Sequence, residues 1–502
     1  MSQNNSPRVL AIALDAAEPS LIRRLIEQEE LPALKSLLAE GRWLRVKSPA
    51  HVGSGSVWPT FMTGGDPSVH GVYGEWCWQS DTMSLSRYQG NGLIPFWKRF
   101  VDDGVTVGIL DLPFMPLLGL RNGFEISEWG PHDRIAGQVG VGPDGVRKLV
   151  SELPAHALSA DRLDSQGPGD LENLTKLASS CFAGIKRRGA LAQALIKETQ
   201  PQFALIAFTE IHHAAHYLWH TEEPEDEVYA SDTFRNLPTI KPSLRDLYRE
   251  VDRQIGGLIE SCSAETRVLV FSLHGMQPTH GISAFLEPVL CELGFARLAD
   301  WRAQSWTGRA TSLLAAVKRH TPGALKKLYY QTLPATTTQA LARPTMLAAY
   351  DWSKTRAFSL PSDQHGWIRV NLKGREAKGI VAVEQYDEVC GQLEKSLRSL
   401  TTPEGKPLVR EMIRTAECAK DALVQRLPDL VVHWENAVFT SPLRIKGRSV
   451  ETAATGTKFS GQHALDGFCI LKGLRDLGPG EILPAKDLGN LISDLLDRSG
   501  TP

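Results

Sequence analysis

Histidine is concentrated in one short stretch of this sequence. The segment FTEIHHAAHYLWH, residues 208–220, holds His212, His213, His216 and His220, four of only fourteen histidines in 502 residues. Neutral imidazole is a common metal ligand, and His212 and His216, spaced i and i+4, share one face of a helix. The spacing places both imidazoles on one helix face, but such a pair by itself is more typical of an exposed or supporting surface than of metal ligands.

Two serines lie in a glycine-flanked turn that a helix follows. In the segment SPAHVGSGSVWPTF, Ser54 and Ser56 precede a helix whose first turn can carry Pro59. A hydroxyl at such a position meets unpaired backbone N–H groups and the positive end of the helix dipole, which favour a deprotonated oxygen and a bound phosphate oxygen. The pattern is equally that of an ordinary serine N-cap.

The elements that would position these residues alternate along the chain. Short, continuously apolar runs predict buried strands of a mostly parallel sheet: RVLAIALD (8–15), VTVGILDL (105–112), QFALIAFTE (202–210) and TRVLVFSLHG (266–275). Helical patterns cover 18–41, with a break at Pro32, and 243–262. This order predicts an α/β fold with a doubly wound sheet and helices on both of its faces.

Polar residues stand where three of these runs stop. Asp15, Glu210 and His274 follow or end apolar runs. Doubly wound sheets place their sites at the carboxyl ends of the strands, so we expect these side chains to lie near one another.

Composition narrows the class of protein. The chain carries 55 basic and 57 acidic residues, so nothing in its charge indicates nucleic acid or an anionic membrane as a partner. No apolar stretch reaches the length of a membrane span, and the N-terminus lacks a signal-peptide pattern. Seven scattered cysteines without a CxxC pair predict reduced thiols and a cytoplasmic protein without a cysteine metal site.

The chain is predicted to be one domain, residues 8–502, with two irregular stretches. Residues 130–200 contain GVGPDGVRK and DSQGPGD, and residues 296–345 contain a locally basic helical pattern and LPATTTQALARP. Both are predicted insertions. Insertions at the site edge of such a sheet commonly form caps, but an exposed helical hairpin without a role fits as well.

Several fragments, in order, resemble one known family. They are ALDAAEPSLI with Asp15, Ser54 followed by WPTFMTGGDPSVHGVYG, TEIHHAAHYLW, FSLHGM, and GQHALDGFCILKG with His463. Together they resemble the type I phosphodiesterase/nucleotide pyrophosphatase branch of the alkaline phosphatase superfamily. The resemblance implies an alkaline phosphatase-like fold with cap-like insertions.

The resemblance also implies a ligand set. Members hold two metal ions, usually zinc, beside a serine or threonine nucleophile, which Ser54 matches by its distance from Thr63-Gly64. Asp15 and His274 would serve the metal that activates Ser54, and His216 and His463 would serve the other. One ion lowers the pKa of the attacking oxygen while both neutralise charge on the transferred group.

The sequence departs from the family pattern at three positions. Leu273 stands where the family has the aspartate of Asp-His-Gly, so the activating site loses a carboxylate. His212 stands where the family has another aspartate, and with His216 and His463 it would form a three-histidine site suited to zinc. Val57 replaces an asparagine that helps hold the developing oxyanion.

Other polar residues are weaker candidates for the site. Glu210 could replace the lost carboxylate or bond a ligand imidazole, or simply be a helix-start carboxylate. His213 would at best support the ligands, and His132 beside Trp129 could line a pocket or a simple turn. His365 and Arg375 lie in SDQHGWIRVNLKGRE, where Arg375 could clamp an oxyanion or stand in a solvated turn.

The sequence therefore predicts a metal-dependent hydrolase or group-transferase that acts on a small-molecule phosphodiester, phosphoanhydride or sulfate-type ester through Ser54. One or two zinc ions are expected, with manganese as the alternative metal. Two other functions stay open: a mononuclear three-histidine zinc enzyme with changed chemistry in a biosynthetic pathway, and a non-catalytic scaffold that retains the fold. The oligomeric state is not indicated.

Overall fold

The computed structural model describes most of the chain in ordered segments. They are 6–88, 92–115, 117–130, 139–158, 171–230, 234, 237–279, 285–300, 347–362, 364–402, 404–435, 443–445, 448–450, 459–472 and 482–498. The strands in this part of the chain are β1 (Val9–Leu14), β2 (Gly41–Lys47), β3 (Trp76–Gln79), β4 (Ser84–Arg87), β5 (Val107–Leu110), β6 (Phe124–Ser127), β7 (Gly140–Gly142), β8 (Phe203–Phe208), β9 (Arg267–Ser272), β10 (Gly275–Pro278), β11 (Ala357–Leu360), β12 (Gly366–Val370), β13 (Val409–Arg414), β14 (Leu430–Trp434), β15 (Leu443–Ile445), β16 (Arg448–Val450), β17 (Gly461–Ala464), β18 (Asp466–Lys472) and β19 (Ile482–Pro484).

The helices alternate with these strands. They are α1 (Pro19–Glu27), α2 (Pro32–Ala39), α3 (Val57–Thr63), α4 (Pro67–His70), α5 (Trp97–Asp102), α6 (Asp144–Glu152), α7 (Leu171–Thr199), α8 (Glu210–Leu218), α9 (Leu244–Glu260), α10 (Leu286–Leu293), α11 (Tyr386–Arg398), α12 (Ala419–Val424) and α13 (Leu488–Arg498). The predicted break at Pro32 is confirmed, because α2 begins at that proline after α1 ends at Glu27. None of the helices in the described segments has the length and apolar content needed to cross a membrane.

A nine-stranded sheet forms the centre of the described structure. Its order is β19-β2-β18-β9-β1-β8-β5-β6-β7. The four predicted strands are β1, β5, β8 and β9, and they run parallel to one another in the middle of this sheet. β18 runs antiparallel to both β2 and β9, so the sheet is mixed at that side. The predicted mostly parallel α/β sheet is confirmed.

Side-chain alternation divides the core between the two faces of the sheet. In β1, Leu10, Ile12 and Leu14 pack against the core that includes α1, α2, α7, α8 and α9. Val9, Ala11 and Ala13 face the core that includes α3, α5 and α13. Every residue of β1 is buried, as expected for a central strand covered by helices on both sides.

A second, antiparallel sheet packs beside the site edge of the first. Its order is β11-β12-β14-β13, and with α10 and α11 it encloses its own apolar core. Tyr73 and Trp78, from the segment after α4, are part of that core. The antiparallel sheet therefore packs against the segment that follows the Ser54 turn and α4.

The two predicted insertions are described unequally. Within 130–200, α7 buries Leu174, Ile185 and Leu191 in the same core as β1 and β8. Within 296–345, the structure describes only 296–300, and the remainder lies outside the described residues. A cap role for either stretch stays a prediction.

Candidate active site

The parallel strands bring distant polar residues to one edge of the sheet. Asp15 directly follows β1, and His274 is the second residue after β9. The helix α8, which carries His212 and His216, likewise begins at the second residue after β8. His463 arrives from β17, which pairs antiparallel with β10 and places His463 opposite Met276. Because the carboxyl ends of parallel strands share an edge, the fold gathers these side chains at that edge.

Three imidazoles converge through their Nε2 atoms. Nε2 of His212 lies 2.9 Å from Nε2 of His216 and 2.6 Å from Nε2 of His463. His212 and His463 are buried and His216 is half-buried. The i, i+4 spacing on α8 thus places His212 and His216 on the face that meets β17.

Hydrogen bonds to the other ring nitrogens set the tautomers of this cluster. Nδ1 of His212 lies 2.6 Å from Oδ2 of Asp15, and Nδ1 of His216 lies 2.9 Å from the carbonyl oxygen of Gly461. A carbonyl or carboxylate oxygen only accepts, so both Nδ1 atoms carry the proton. If both rings are neutral, their Nε2 lone pairs point at each other, and a shared proton or a metal ion would relieve that repulsion.

These residues fit a bound metal ion. The nitrogens of His212, His216 and His463 lie within 4.8 Å of one another. Three neutral imidazoles with an open fourth position suit zinc, and an acceptor behind a ligand imidazole is a usual feature of zinc sites. The fit rests on the donor set and on the two opposed lone pairs.

Asp15 supports this cluster through both of its carboxylate oxygens. Oδ2 accepts the proton on Nδ1 of His212, and Oδ1 accepts a hydrogen bond from Nε1 of Trp58 at 3.0 Å. The carboxylate is buried, with 2% of Asp15 exposed. In this arrangement Asp15 orients His212, whereas direct ligation of a metal by Asp15 stays a prediction.

His274 and Ser54 complete the group. The His274 ring stacks on the His463 ring with centroids 4.7 Å apart and planes 20° apart, and its centroid is 5.7 Å from that of His212. Ser54 opens a short 3₁₀ turn, Ser54–Ser56, that leads into α3. Its neighbour candidate Ser56 is fully buried and donates to the carbonyl oxygens of Pro49 and Gly53, so Ser56 is structural.

All of these side chains line one cavity of about 430 Å³. Asp15, Ser54, His212, His216, His274 and His463 line it together. Aromatic rings form much of the remaining wall: Trp58, Trp76, Phe114, Trp367 and Phe459. Glu75 adds a second carboxylate, which pairs with Arg87 at 2.5 Å.

Glu210 lies in a separate buried cluster, which corrects two of the roles considered for it. Its Oε1 is 2.7 Å from Nε of Arg188 and 2.9 Å from Nε2 of His156, and it does not line the cavity. Burial alone would raise the pKa of Glu210, but Arg188 and His156 outweigh it and lower the pKa to about 2. The imidazole it bonds belongs to His156, which is not a candidate ligand.

His213, His365 and Arg375 are not among the described residues that line the cavity. His213 is half-buried beside Tyr217, and His132 falls outside the described residues. Nε2 of His365 donates to the carbonyl oxygen of Ala50 at 2.9 Å. Arg375 binds both oxygens of Asp429 at 2.7 Å and Glu376 at 2.8 Å. Its guanidinium is therefore buried in an ion pair, and it neither lies in a solvated turn nor clamps an oxyanion.

Some residues of the site were not marked by the sequence. Phe114 and Phe459 carry no motif, yet both line the cavity, and Phe459 covers the rings of His216 and Tyr217. Arg188 lies in a predicted insertion but bonds Glu210 and Thr209 at the start of α8. A lone arginine on an apolar helix face is the one local signal that could have indicated a buried ion pair there.

Comparison with known proteins identifies a family and a fold for the chain. Residues 9–452 match the family model described as type I phosphodiesterase/nucleotide pyrophosphatase. Phosphonoacetate hydrolase from Sinorhizobium meliloti 1021, solved with phosphonoformate, superposes with a TM-score of 0.51 at 14% identity, over 98% of this chain and 96% of that chain. Murine ectonucleotide pyrophosphatase/phosphodiesterase 5, inactive and in complex with AMP, gives 0.45 at 12% identity, over 99% and 96%. The former likeness shows the fold. No curated protein matches the chain.

Proposed function

The chain belongs to the type I phosphodiesterase/nucleotide pyrophosphatase family of hydrolases, and from this premise we propose that it hydrolyses a small-molecule phosphoester through Ser54 beside a metal ion held by His212, His216 and His463. The observation that carries the proposal is the convergence of three Nε2 atoms in the cavity that Ser54 also lines. Asp15 and His274 line the same cavity and complete the set.

The chain's own residues account for positioning and nucleophilic attack. The Ser54 hydroxyl gives up its proton as Oγ attacks phosphorus, a P–O bond to serine forms, and the bond to the leaving alcohol breaks as its oxygen takes up that proton. Water then attacks the phosphoserine and restores the Ser54 hydroxyl. Asp15 holds the tautomer of His212, and aromatic rings form much of the cavity wall beside Ser54. A bound zinc ion would supply positive charge to neutralise the phosphoryl oxygens.

The aromatic wall suggests the kind of ester. Trp58, Trp76, Phe114 and Phe459 offer flat apolar surface beside the histidine cluster. A phosphodiester with an aromatic or apolar group would bury that group against these rings. A sulfate ester with such a group would use the same rings, so only an activity assay with each kind of ester distinguishes the two substrates.

A mononuclear zinc enzyme is a second candidate, and one observation favours it. Both oxygens of Asp15 are already bonded, to Trp58 and His212, and Leu273 is buried in an apolar core shared with Trp58. A second ion would therefore meet His274 and Ser54, while both oxygens of the Asp15 carboxylate already accept hydrogen bonds. In that case the zinc that His212, His216 and His463 would hold would supply the positive charge to activate water or polarise a carbonyl, and Ser54 would not be the nucleophile.

Elemental analysis and one variant separate the candidates. For the Ser54 mechanism, purified protein should contain zinc or manganese, and hydrolysis of bis(p-nitrophenyl) phosphate should vanish in Ser54→Ala while metal content is kept. One tightly bound zinc with Ser54→Ala still active supports the mononuclear candidate. Neither metal nor activity after purification in zinc-supplemented buffer contradicts both and leaves a scaffold.

We also infer a reducing compartment, in line with the cytoplasmic location expected from the cysteine pattern. All seven cysteines are free thiols, and burial raises the pKa of several of them, including Cys469 to about 12. Cell fractionation with an antibody against the chain tests this location. Recovery in a secreted fraction would contradict it.

A further inference from the structure

The turn before Ser54 has an unusual set of hydrogen-bond partners. We call residues 48–56 the Ser54 loop. Its carbonyl oxygens at positions 49 to 53 all accept side-chain hydrogen bonds, from Ser56, His365, His433, Trp367 and Ser56 in that order. Buried carbonyl groups outside a strand ladder need donors. The single Ser56 hydroxyl proton lies between two of these oxygens, and the backbone N–H groups of Val52 and Ser56 also donate to Pro49 and Gly53.

Three of these donors are ring N–H groups from the antiparallel sheet. Nε2 of His365 donates to Ala50 at 2.9 Å, Nε2 of His433 donates to His51 at 2.7 Å, and Nε1 of Trp367 donates to Val52 at 2.8 Å. We call these three residues the ring clamp. All three are buried.

Sheet register explains why the clamp residues point the same way. β12 and β14 pair antiparallel, with Gly366 opposite Val432, so His365 and His433 lie one position further along and face each other across the strands. Residues two apart on a strand share a face, which adds Trp367 to the face of His365. The two imidazole rings stack with centroids 4.3 Å apart and planes 1° apart.

Each histidine must carry its proton on Nε2. A carbonyl oxygen accepts only, so the ring nitrogen that meets it is the donor. Burial lowers the pKa of His433, which keeps the ring neutral. In addition, Nδ1 of His433 is buried without a hydrogen-bond partner among the described residues, so a second proton would have no acceptor there.

We propose that His365, His433 and Trp367 are positioning residues, which hold the Ser54 loop so that the Ser54 hydroxyl faces the histidine cluster. This inference rests on the proposed role of Ser54. Neither His365 nor His433 lines the cavity, so they act only through the loop. A displacement of a reacting group by about 1 Å can cost about 100-fold in rate, and the clamp is the contact that would prevent it.

The test compares variants that keep or remove the donor. His433→Gln retains an N–H at the reach of Nε2, whereas His433→Leu and the shorter His433→Asn do not reach His51. With bis(p-nitrophenyl) phosphate, kcat should fall by about tenfold or more in His433→Leu and His433→Asn, with KM and zinc content nearly unchanged. His433→Gln should recover most of kcat. The same series at His365 should behave alike.

Amide hydrogen exchange gives a readout that does not depend on the reaction. Peptides that cover residues 48–56 should exchange faster in His433→Leu and His433→Asn than in His433→Gln. The matched control is Tyr386→Phe, which removes a buried 3.0 Å hydrogen bond to Asp429 in the same antiparallel-sheet unit and should leave kcat and loop exchange unchanged.

Two results would overturn the clamp. One is equal kcat in the glutamine, leucine and asparagine variants, and the other is loop exchange that matches the Tyr386→Phe control. If the unmodified protein does not hydrolyse the diester, the proposed function fails while the exchange measurement still decides the clamp. Should the leucine variants fail to fold, the asparagine and glutamine pair carries the comparison.

Discussion

Asp15 accepts a hydrogen bond from Nδ1 of His212 at 2.6 Å, although the two residues are 197 positions apart in the chain. The other ring nitrogen of His212, Nε2, faces the cluster that it forms with His216 and His463. Asp15 also receives Nε1–H of Trp58, so its two oxygens serve two donors. The carboxylate therefore determines which imidazole nitrogen faces the site.

Asp15→Asn should weaken zinc binding without removing it. The amide offers one oxygen for two donors, so either Trp58 or His212 would face an NH₂ group, and the His212 tautomer would no longer be held. We expect the zinc dissociation constant to rise by about 10–100-fold, measured by competition with a chromogenic chelator.

Asp252→Asn is the matched control for that measurement. Asp252 is also a buried carboxylate with two donors, the backbone N–H groups of Ala33 and Leu34 at 2.9 and 2.8 Å. Its replacement should leave zinc affinity unchanged. Complete loss of zinc in Asp15→Asn would instead identify Asp15 as a metal ligand, as the family resemblance implied.

Arg188→Met should destabilise the fold strongly. The Arg188 guanidinium lies 2.9 Å from Asp111 and 2.7 Å from Glu210, and both Arg188 and Glu210 are buried. Its removal leaves two carboxylates without their cation, so the free energy of unfolding should fall by about 3–5 kcal/mol in urea titration. Adding Glu210→Gln should recover part of the loss.

An exposed ion pair gives the contrast. Arg45 pairs with Asp466 at 2.8 Å, but their side chains are 59% and 48% exposed. Arg45→Met should change the free energy of unfolding by no more than about 1 kcal/mol. Equal losses in the two arginine variants would mean that the Arg188 cluster is not a structural unit.

Sequence patterns were sufficient for the elements that carry the site. The runs around 8–15, 202–210 and 266–275 are apolar on both faces because their strands are covered on both faces, and that continuity marks where each strand stops. The sequence alone therefore indicates that Asp15 and His274 lie at one edge of the sheet. The i, i+4 pair on α8 could be assigned to one helix face for the same reason, because backbone periodicity alone decides it.

Side-chain partners were beyond such patterns. The apolar run 202–210 predicts a strand that ends at Glu210, but β8 ends at Phe208 and Glu210 is the first residue of α8. Its side chain bonds Arg188, 22 positions earlier, on a helix within a predicted insertion. Arg375 was read as a clamp or a solvated residue, because Asp429, its partner, is 54 positions away. Periodicity locates a Cα atom on an element, whereas the partner of a buried charge depends on how separate elements pack.

Gly53→Ala should reduce turnover by displacing the Ser54 loop. A Cβ atom at Gly53 would meet the Tyr73 carbonyl oxygen well inside contact distance and Cζ2 of Trp367 at 2.6 Å. Since backbone and a packed indole cannot easily yield, the loop must shift. We expect kcat for bis(p-nitrophenyl) phosphate to fall by about tenfold or more. A Gly53→Ala protein with normal kcat would show that the loop tolerates this shift.

Gly145→Ala provides the control for the added methyl group. Gly145 lies in α6, and a Cβ atom there would meet nothing within 4 Å. Alanine in a helix is favoured over glycine, so this variant should gain about 0.5–1 kcal/mol of stability and keep full activity.

The stability of the fold should fall in mild acid, and His220 should contribute to the fall. His220 is buried against Tyr229 and Phe234, and burial lowers its pKa from 6.5 to about 4. Between these two pKa values the unfolded chain binds a proton that the folded chain does not, so the free energy of unfolding decreases as pH falls from 6.5 towards 4. This one group can account for about 3 kcal/mol at most. In urea titrations from pH 7 to pH 4, His220→Gln should lose less stability than the unmodified protein, while Tyr386→Phe should show the unmodified pH dependence. Parallel curves for His220→Gln and the unmodified protein would mean that folding does not change the pKa of the His220 imidazole.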